Sequence, residues 1–258
     1  MEAGYRTPLL DFLRRGEVAR DIRLLAAQGA LAPRAHEQLG LLILLVGDQD
    51  PEIARSADAT LTAIPRDSLA SFIARSDVAG EMRDFFALRG LEPAAVPSPD
   101  AESPFVDTAS EPEPLPDVDD ESREATVQQK IASMTIVQRM SLAMKGSREE
   151  RALLIRDPNK IVAVAVLSSP KVTEQEVESI AKMASISDEI LRIIANTRAW
   201  IKNYAIVLAL TKNPKTPLAL SMNMLSRLNE KDVRMLSTDR NVPDVLRITA
   251  RKKIVIDR

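Results

Sequence analysis

Apolar residues recur at three- and four-residue spacings through most of this chain. Before residue 91 the segments TPLLDFLRR, VARDIRLLAA, RAHEQLGLLILLV, PEIARSADATLTAI, RDSLASFIARS and AGEMRDFFAL each carry such a stripe, the mark of a helix that buries one face. Six short helices are predicted there. Gly16, Gly29, Gly47 and Gly90 fall at or near their ends, where a left-handed terminal residue is needed. Asp50 ahead of Pro51 reads as a cap followed by a first-turn proline.

The back of the chain has the same grammar. Ser147 with Glu150, and Thr173 with Glu176, have capping-box spacing, and Thr216 before Pro217 marks a further helix start. Here the pattern also repeats. SREERALLIRDPN, ISDEILRIIANTR and EKDVRMLSTDRN share an acidic start, an apolar middle and an Asp or Asn stop, with Asp157, Asn196 and Asp239 spaced by 39 and 43 residues. SSPKVTEQEVESIAK resembles KNPKTPLALSMNMLSR, and their prolines, Pro170 and Pro214, lie 44 apart. A helical unit that recurs at this period reads as a stack. The front half offers a weaker copy, ARSDVAGEMRDFFALRG against AKMASISDEILRIIANTR.

On these residues the chain resembles helical-repeat proteins. GDQDPEIARSADATL is similar to HEAT or armadillo-like units, and NPKTPLALSMNMLSRL is similar to leucine-rich-repeat-variant units. The resemblance covers most of Thr7 to Gly90 and Thr126 to Lys253. It implies an all-α chain of α-solenoid-like repeats whose extended surface binds a partner.

Composition divides the chain. Seven of the 16 prolines fall between Pro93 and Pro116, interleaved with acidic residues and few apolar ones. Such a stretch cannot repay its ordering entropy, so an acidic disordered linker is expected over residues 92–125, between an N-terminal module at 1–91 and a C-terminal module at 126–258. Met1 to Ala125 holds 12 Arg, no Lys and 24 Asp and Glu; Thr126 to Arg258 holds 23 Lys and Arg against 13 acids. An acidic front is therefore joined to a basic back, and the back invites an anionic partner.

Candidate chemistry is sparse. The chain has no Cys and one His, which removes thiol nucleophiles, thiolate metal sites and His clusters. His36 is expected as an ordinary surface or capping residue. KGS at 145–147 lacks the upstream glycines of a phosphate-binding loop. Glu174, Glu176 and Glu178 stand at a helix start, where carboxylates complement the dipole. No catalytic residue, metal site or cofactor is expected. The start of the chain lacks a basic region followed by an apolar segment, the longest apolar runs are too short to cross a bilayer, and a cytoplasmic location with no membrane partner is the expectation.

One stretch, NTRAWIKNYAIVLALTKNPKTP, holds the only Trp and one of two Tyr. Trp200, Tyr204, Val207 and Leu208 follow helical spacing, so the aromatics pack at the entrance of a buried helix or face a ligand. Asn196 and Asn213 read as the stops that bracket one unit. Arg198, Lys202, Lys212 and Lys215, with Trp200 and Tyr204, are the candidate partner-binding residues. Three readings of the basic surface are open: an acidic segment, of a partner protein or of the chain's own linker; the phosphate backbone of a nucleic acid that the chain binds or whose bases it processes; and a merely solvated surface.

Overall fold

A computed structural model describes residues 7–16, 18–31, 34–100, 103–106 and 120–256. Among the described residues there are sixteen α-helices, one 3₁₀ turn and no strand. The chain is all-α. Its helices group into two compact units, Met1–Arg151 with Asn159–Pro170, and Ala152–Pro158 with Lys171–Arg258.

The first unit begins with the six predicted helices, α1 (Pro8–Arg14), α2 (Arg20–Ala27), α3 (Ala35–Val46), α4 (Pro51–Ala63), α5 (Arg66–Ile73) and α6 (Gly80–Leu88). Their starts follow the expected cap chemistry. Thr7 Oγ1 accepts from the Leu10 amide at 3.3 Å and Asp50 Oδ1 from the Glu52 amide at 2.9 Å, each just ahead of a first-turn proline. At the other ends Gly16, Gly29 and Gly90 take φ of 73°, 85° and 69°. Gly47 does not: its φ is −92°. The turn after α3 closes instead through Asp48 Oδ1, which accepts from the Asp50 amide at 2.8 Å, so no left-handed residue is required. Leu39, Leu41, Leu42 and Leu45 of α3, Ile53, Ala57 and Leu61 of α4, and Ile22 and Ala26 of α2 are buried where these helices meet.

Four helices follow: α7 (Asp120–Ser133), α8 (Ile136–Lys145), α9 (Arg148–Leu154) and α10 (Lys160–Leu167). Eight residues are too few for a stable isolated helix, and burial makes good the deficit in α10. All seven residues from Ile161 to Leu167 are buried, each Val, Ile or Leu contributing about 1.5–3 kcal/mol. This apolar helix packs against α8 and against α1, so helices from both sides of the proline-rich stretch share the first unit.

The proline-rich stretch corrects an expectation at both of its ends. From Glu92 to Asp100, and again at Ser103–Val106, the chain is non-helical but fastened. The amides of Ala94 and Ser98 donate to the Ala70 and Ser71 carbonyls at the end of α5, at 3.0 and 2.8 Å. Arg75 donates to the Ser98 carbonyl at 2.7 Å. Charge and proline discourage helix here but leave the backbone free to donate to carbonyls at another helix's end. At the far end, α7 already starts at Asp120. The rest of the expected linker lies outside the described residues.

The second unit contains α11 (Glu174–Lys182), α12 (Asp188–Asn196), a 3₁₀ turn (Trp200–Lys202), α13 (Tyr204–Lys212), α14 (Leu218–Leu225), α15 (Glu230–Leu236) and α16 (Asp244–Ile256). Its core comprises Val177 and Ile180 of α11, Leu191 and Ile194 of α12, Ile206, Val207 and Leu210 of α13, and Val233, Leu236 and Leu246 beyond.

One arrangement recurs across the chain. Reciprocal capping boxes open α8 (Thr135 with Gln138) and α11 (Thr173 with Glu176). Ser147 and Glu150 make the same exchange at α9. Asn159 and Asn203, 44 residues apart, cap α10 and α13 through their side-chain oxygens, at 3.1 and 2.9 Å. The third copy departs from the pattern: Pro217 is the cap residue of α14, one position later than expected, and makes no side-chain cap bond.

The C-terminal ends recur as well. Helices α8, α11 and α14 pack on α10, α13 and α16 respectively, and in each pair the later side caps carbonyls of the earlier helix. Ser169 Oγ donates to the Met144 carbonyl at 2.7 Å. Asn213 Nδ2 donates to Ala181 and Met183 at 2.8 and 3.0 Å. Lys253 Nζ donates to Leu225 and Ser226 at 3.1 and 3.3 Å. Ser, Asn and Lys differ in size, but each brings a side-chain donor to carbonyls at the end of the earlier helix.

Candidate functional site

The singled-out stretch folds as a turn followed by a helix. The helix α12 ends at Asn196, and Thr197 then accepts from the amides of Trp200 and Ile201 at 3.1 and 3.2 Å, which winds the chain into the 3₁₀ turn. Asn203, with ψ of 118°, breaks the path before α13 starts. Trp200 and Tyr204 therefore do not share a helix, contrary to the spacing argument. An Asn that caps the next helix must itself be non-helical, and that requirement overrides the apolar periodicity. Asn203 is held from a second side, its Nδ2 donating to Glu174 Oε2 at 2.7 Å.

Tyr204 serves the fold. Its hydroxyl donates to Asp232 Oδ2 and accepts from the Asn229 amide at 3.2 Å, which ties the start of α13 to the start of α15. The residue as a whole remains 41 % exposed. Loss of water around the hydroxyl, and then the Asp232 carboxylate, raise its pKa above the ordinary tyrosine value. Trp200 is half-buried on the 3₁₀ turn.

The four cations fall at two ends of one helix. Arg198 and Lys202, both exposed, flank Trp200 ahead of α13. Lys212, half-buried, and Lys215, exposed, lie at its far end. Nine residues separate the groups, about 13 Å at 1.5 Å per residue. None of the four has a side-chain hydrogen bond or ion pair among the described residues. Lys182, Arg192 and Arg234, in contrast, are spent on carboxylates of their own helices.

The Arg198 end carries a further cation that the sequence reading missed. Arg227, exposed in the turn after α14, donates through Nη2 to the Ile201 carbonyl at 2.5 Å and so reaches the 3₁₀ turn across 26 residues. Within its own segment Arg227 reads only as a basic residue near a helix C-terminus. Its contact could be found by aligning the turn after α14 with the Asn cap of α13, which no local pattern prompts. The second unit as a whole holds 17 Lys and Arg against 11 Asp and Glu by sequence.

The remaining singled-out groups have structural partners. Glu174 accepts from Asn203, Glu176 closes the capping box of α11, and Glu178 pairs with Lys182 at 2.5 Å. His36 is a correction: it is buried in the first turn of α3, its ring edge-on to Phe72 at 4.6 Å between centroids. The whole turn from Ala35 to Gln38 is buried, because α5 and the fastened proline-rich stretch approach there. Among the described residues no group of three or more His, Cys, Asp or Glu is placed to hold a metal ion, and no helix is long and apolar enough to cross a membrane.

No protein family, curated protein or solved structure compared with this chain matches it.

Proposed function

We propose that this chain is a non-catalytic, cytoplasmic adaptor or regulator, a helical-repeat protein of HEAT-like character whose second unit binds an acidic segment of a partner protein. The reading rests chiefly on one observation. Arg198 and Lys202 stand exposed on either side of Trp200, on a turn pinned by the Asn203 cap and by Arg227, with their charges uncommitted among the described residues. Rigid backbone under free cations lowers the ordering cost of an incoming anionic chain, and a half-buried indole adds apolar contact area beside them. Recurrence of the Asn caps and of the helix-end bonds supports the repeat reading, since each unit covers a face that its neighbour cannot bury alone.

A nucleic acid is the competing partner, and one experiment separates the two. The full chain and its Arg198→Glu/Lys202→Glu variant serve as baits in affinity capture, with and without nuclease. The proposal expects a defined set of proteins that survives nuclease and is lost with the charge reversal. Captured proteins that disappear on nuclease treatment, or that the variant retains equally, contradict it.

A further inference from the structure

The proline-rich stretch contains the tetrapeptide Ser103-Pro104-Phe105-Val106. It lies on the first unit, and its attachment is unlike that of a packed loop. Gln38, on the buried first turn of α3, is 1 % exposed. Its carboxamide takes both backbone groups of Val106: Nε2 donates to the Val106 carbonyl at 2.7 Å, and Oε1 accepts from the Val106 amide at 3.0 Å. The same Nε2 donates to the Gly29 carbonyl at 2.9 Å. A side chain is here acting as a neighbouring strand would, reading main chain and ignoring side chain.

Side-chain selectivity comes from the two flanking surfaces. Phe105 meets Phe72 edge-to-face, with centroids 5.4 Å apart at 79°, and Phe72 is 1 % exposed. Val106 sits over Gly29, where an added Cβ would come within 3.1 Å of the Val106 Cβ and 3.2 Å of its Cγ1. Gly29 has φ of 85°, so the residue that ends α2 with left-handed backbone also leaves room for the valine. Pro104 has a fixed φ, which lowers the cost of ordering the segment.

The two sides of this contact are unequal. Gly29, Gln38 and Phe72 belong to helices α2, α3 and α5 or their ends, whereas Ser103 is exposed and Pro104, Phe105 and Val106 are only half-buried. The two bonds to Gln38, the bond from the Ser103 amide to Asp100 Oδ1 at 3.1 Å, part of one ring and the valine over Gly29 must offset the ordering of the segment, a near balance. Release of the segment leaves Gln38 Nε2 its bond to the Gly29 carbonyl but takes one of the two acceptors of Nε2 and the partner that Oε1 has among the described residues, and a buried polar group disfavours that loss. An occupant is therefore exchanged for another and is not simply released.

We propose that Gly29, Gln38 and Phe72 form a peptide-binding site, that Ser103–Val106 fills it in cis as a tethered ligand, and that it accepts in trans a segment of a partner protein presenting proline, aromatic and aliphatic residues in that order. This site is independent of the basic turn on the second unit. The tether gives the chain's own segment a high effective concentration, so a competing peptide binds the wild-type chain more weakly than a chain whose segment is disabled.

The test is fluorescence anisotropy with a labelled synthetic peptide of sequence AESPFVDT. Its targets are the full wild-type chain and the full chain carrying Phe105→Ala/Val106→Ala. The variant is expected to bind at least about tenfold more tightly than wild type, and methylation of the peptide's valine amide nitrogen weakens that binding about tenfold by removing the donor to Gln38. The methylated peptide leaves the protein unaltered, so misfolding cannot imitate the result. Equal binding by the two chains, no binding to the variant, or indifference to methylation overturns the proposal and makes Ser103–Val106 a fixed part of the fold. Dimerisation of the wild type that Phe105→Ala/Val106→Ala abolishes would assign the site to a second copy and overturn the heterologous partner.

Discussion

Tyr204 shows how an apparent ligand residue is absorbed by the fold. The residue is exposed enough to look available, yet both hydrogen-bonding capacities of its hydroxyl are used, toward Asp232 and toward the Asn229 amide. The raised pKa fixes the sign of the pH dependence. Stabilisation by the hydroxyl is fully present below the unfolded value of about 10 and is lost as pH rises through the higher folded value, where an ionised phenol would face a carboxylate. Tyr204→Phe is expected to cost roughly 0.5–1 kcal/mol near neutral pH, at the low end for a hydrogen bond because the site is partly solvated. In urea denaturation that difference should shrink above about pH 10. A difference that stays constant into the alkaline range would remove Asp232 from the account.

Between elements, the bonds that close the helix ends carry the recurrence, and they should rank by burial. Asn213, 4 % exposed, makes three side-chain bonds: to the Ala181 carbonyl of α11, to the carbonyl of the cap residue Met183, and from the Lys215 amide at 3.0 Å. Asn213→Ala is expected to cost about 2–3 kcal/mol, and Ser169→Ala, which removes a buried bond to Met144, at least about 1 kcal/mol. Lys253→Met should cost least, since one of its two carbonyl contacts is solvated. Equal losses in chemical denaturation, or a reversed order, would mean that these contacts follow from helix packing and do not secure it. Half of this design is legible in the sequence. Thr173 with Glu176, Ser147 with Glu150, and the 44-residue spacing of Pro170 and Pro214 announce the helix starts, because caps act within four residues of their targets. Asn203 is harder to read, since an apolar stripe runs across it from Trp200 to Leu208. The partners of Ser169, Asn213 and Arg227 lie 25 to 32 residues away, beyond any local pattern.

For the whole molecule, composition is a good guide to class and a poor one to attachment. Scarce aromatics and dense Ala, Leu, Arg and Glu favour an all-α chain, and the described residues form one. Proline and acid content at residues 92–106 argues against helix, correctly, but does not record that Gln38, Phe72 and the end of α5 hold that stretch down. His36 looks like a surface residue for the same reason: the Phe72 ring that covers it comes from 36 residues along the chain. The charge division is equally blunt. It directs attention to the second unit but treats four cations as a group, whereas α13 separates Arg198 and Lys202 from Lys212 and Lys215. The most direct test is the affinity of a captured partner for the wild-type chain, Arg198→Glu/Lys202→Glu and Lys212→Glu/Lys215→Glu as salt is raised. The account predicts a loss of about tenfold or more for the first pair at low salt, narrowing as salt screens the charges, and little change for the second pair. Equal affinities for all three chains, or a larger loss from the Lys212 end, would contradict it.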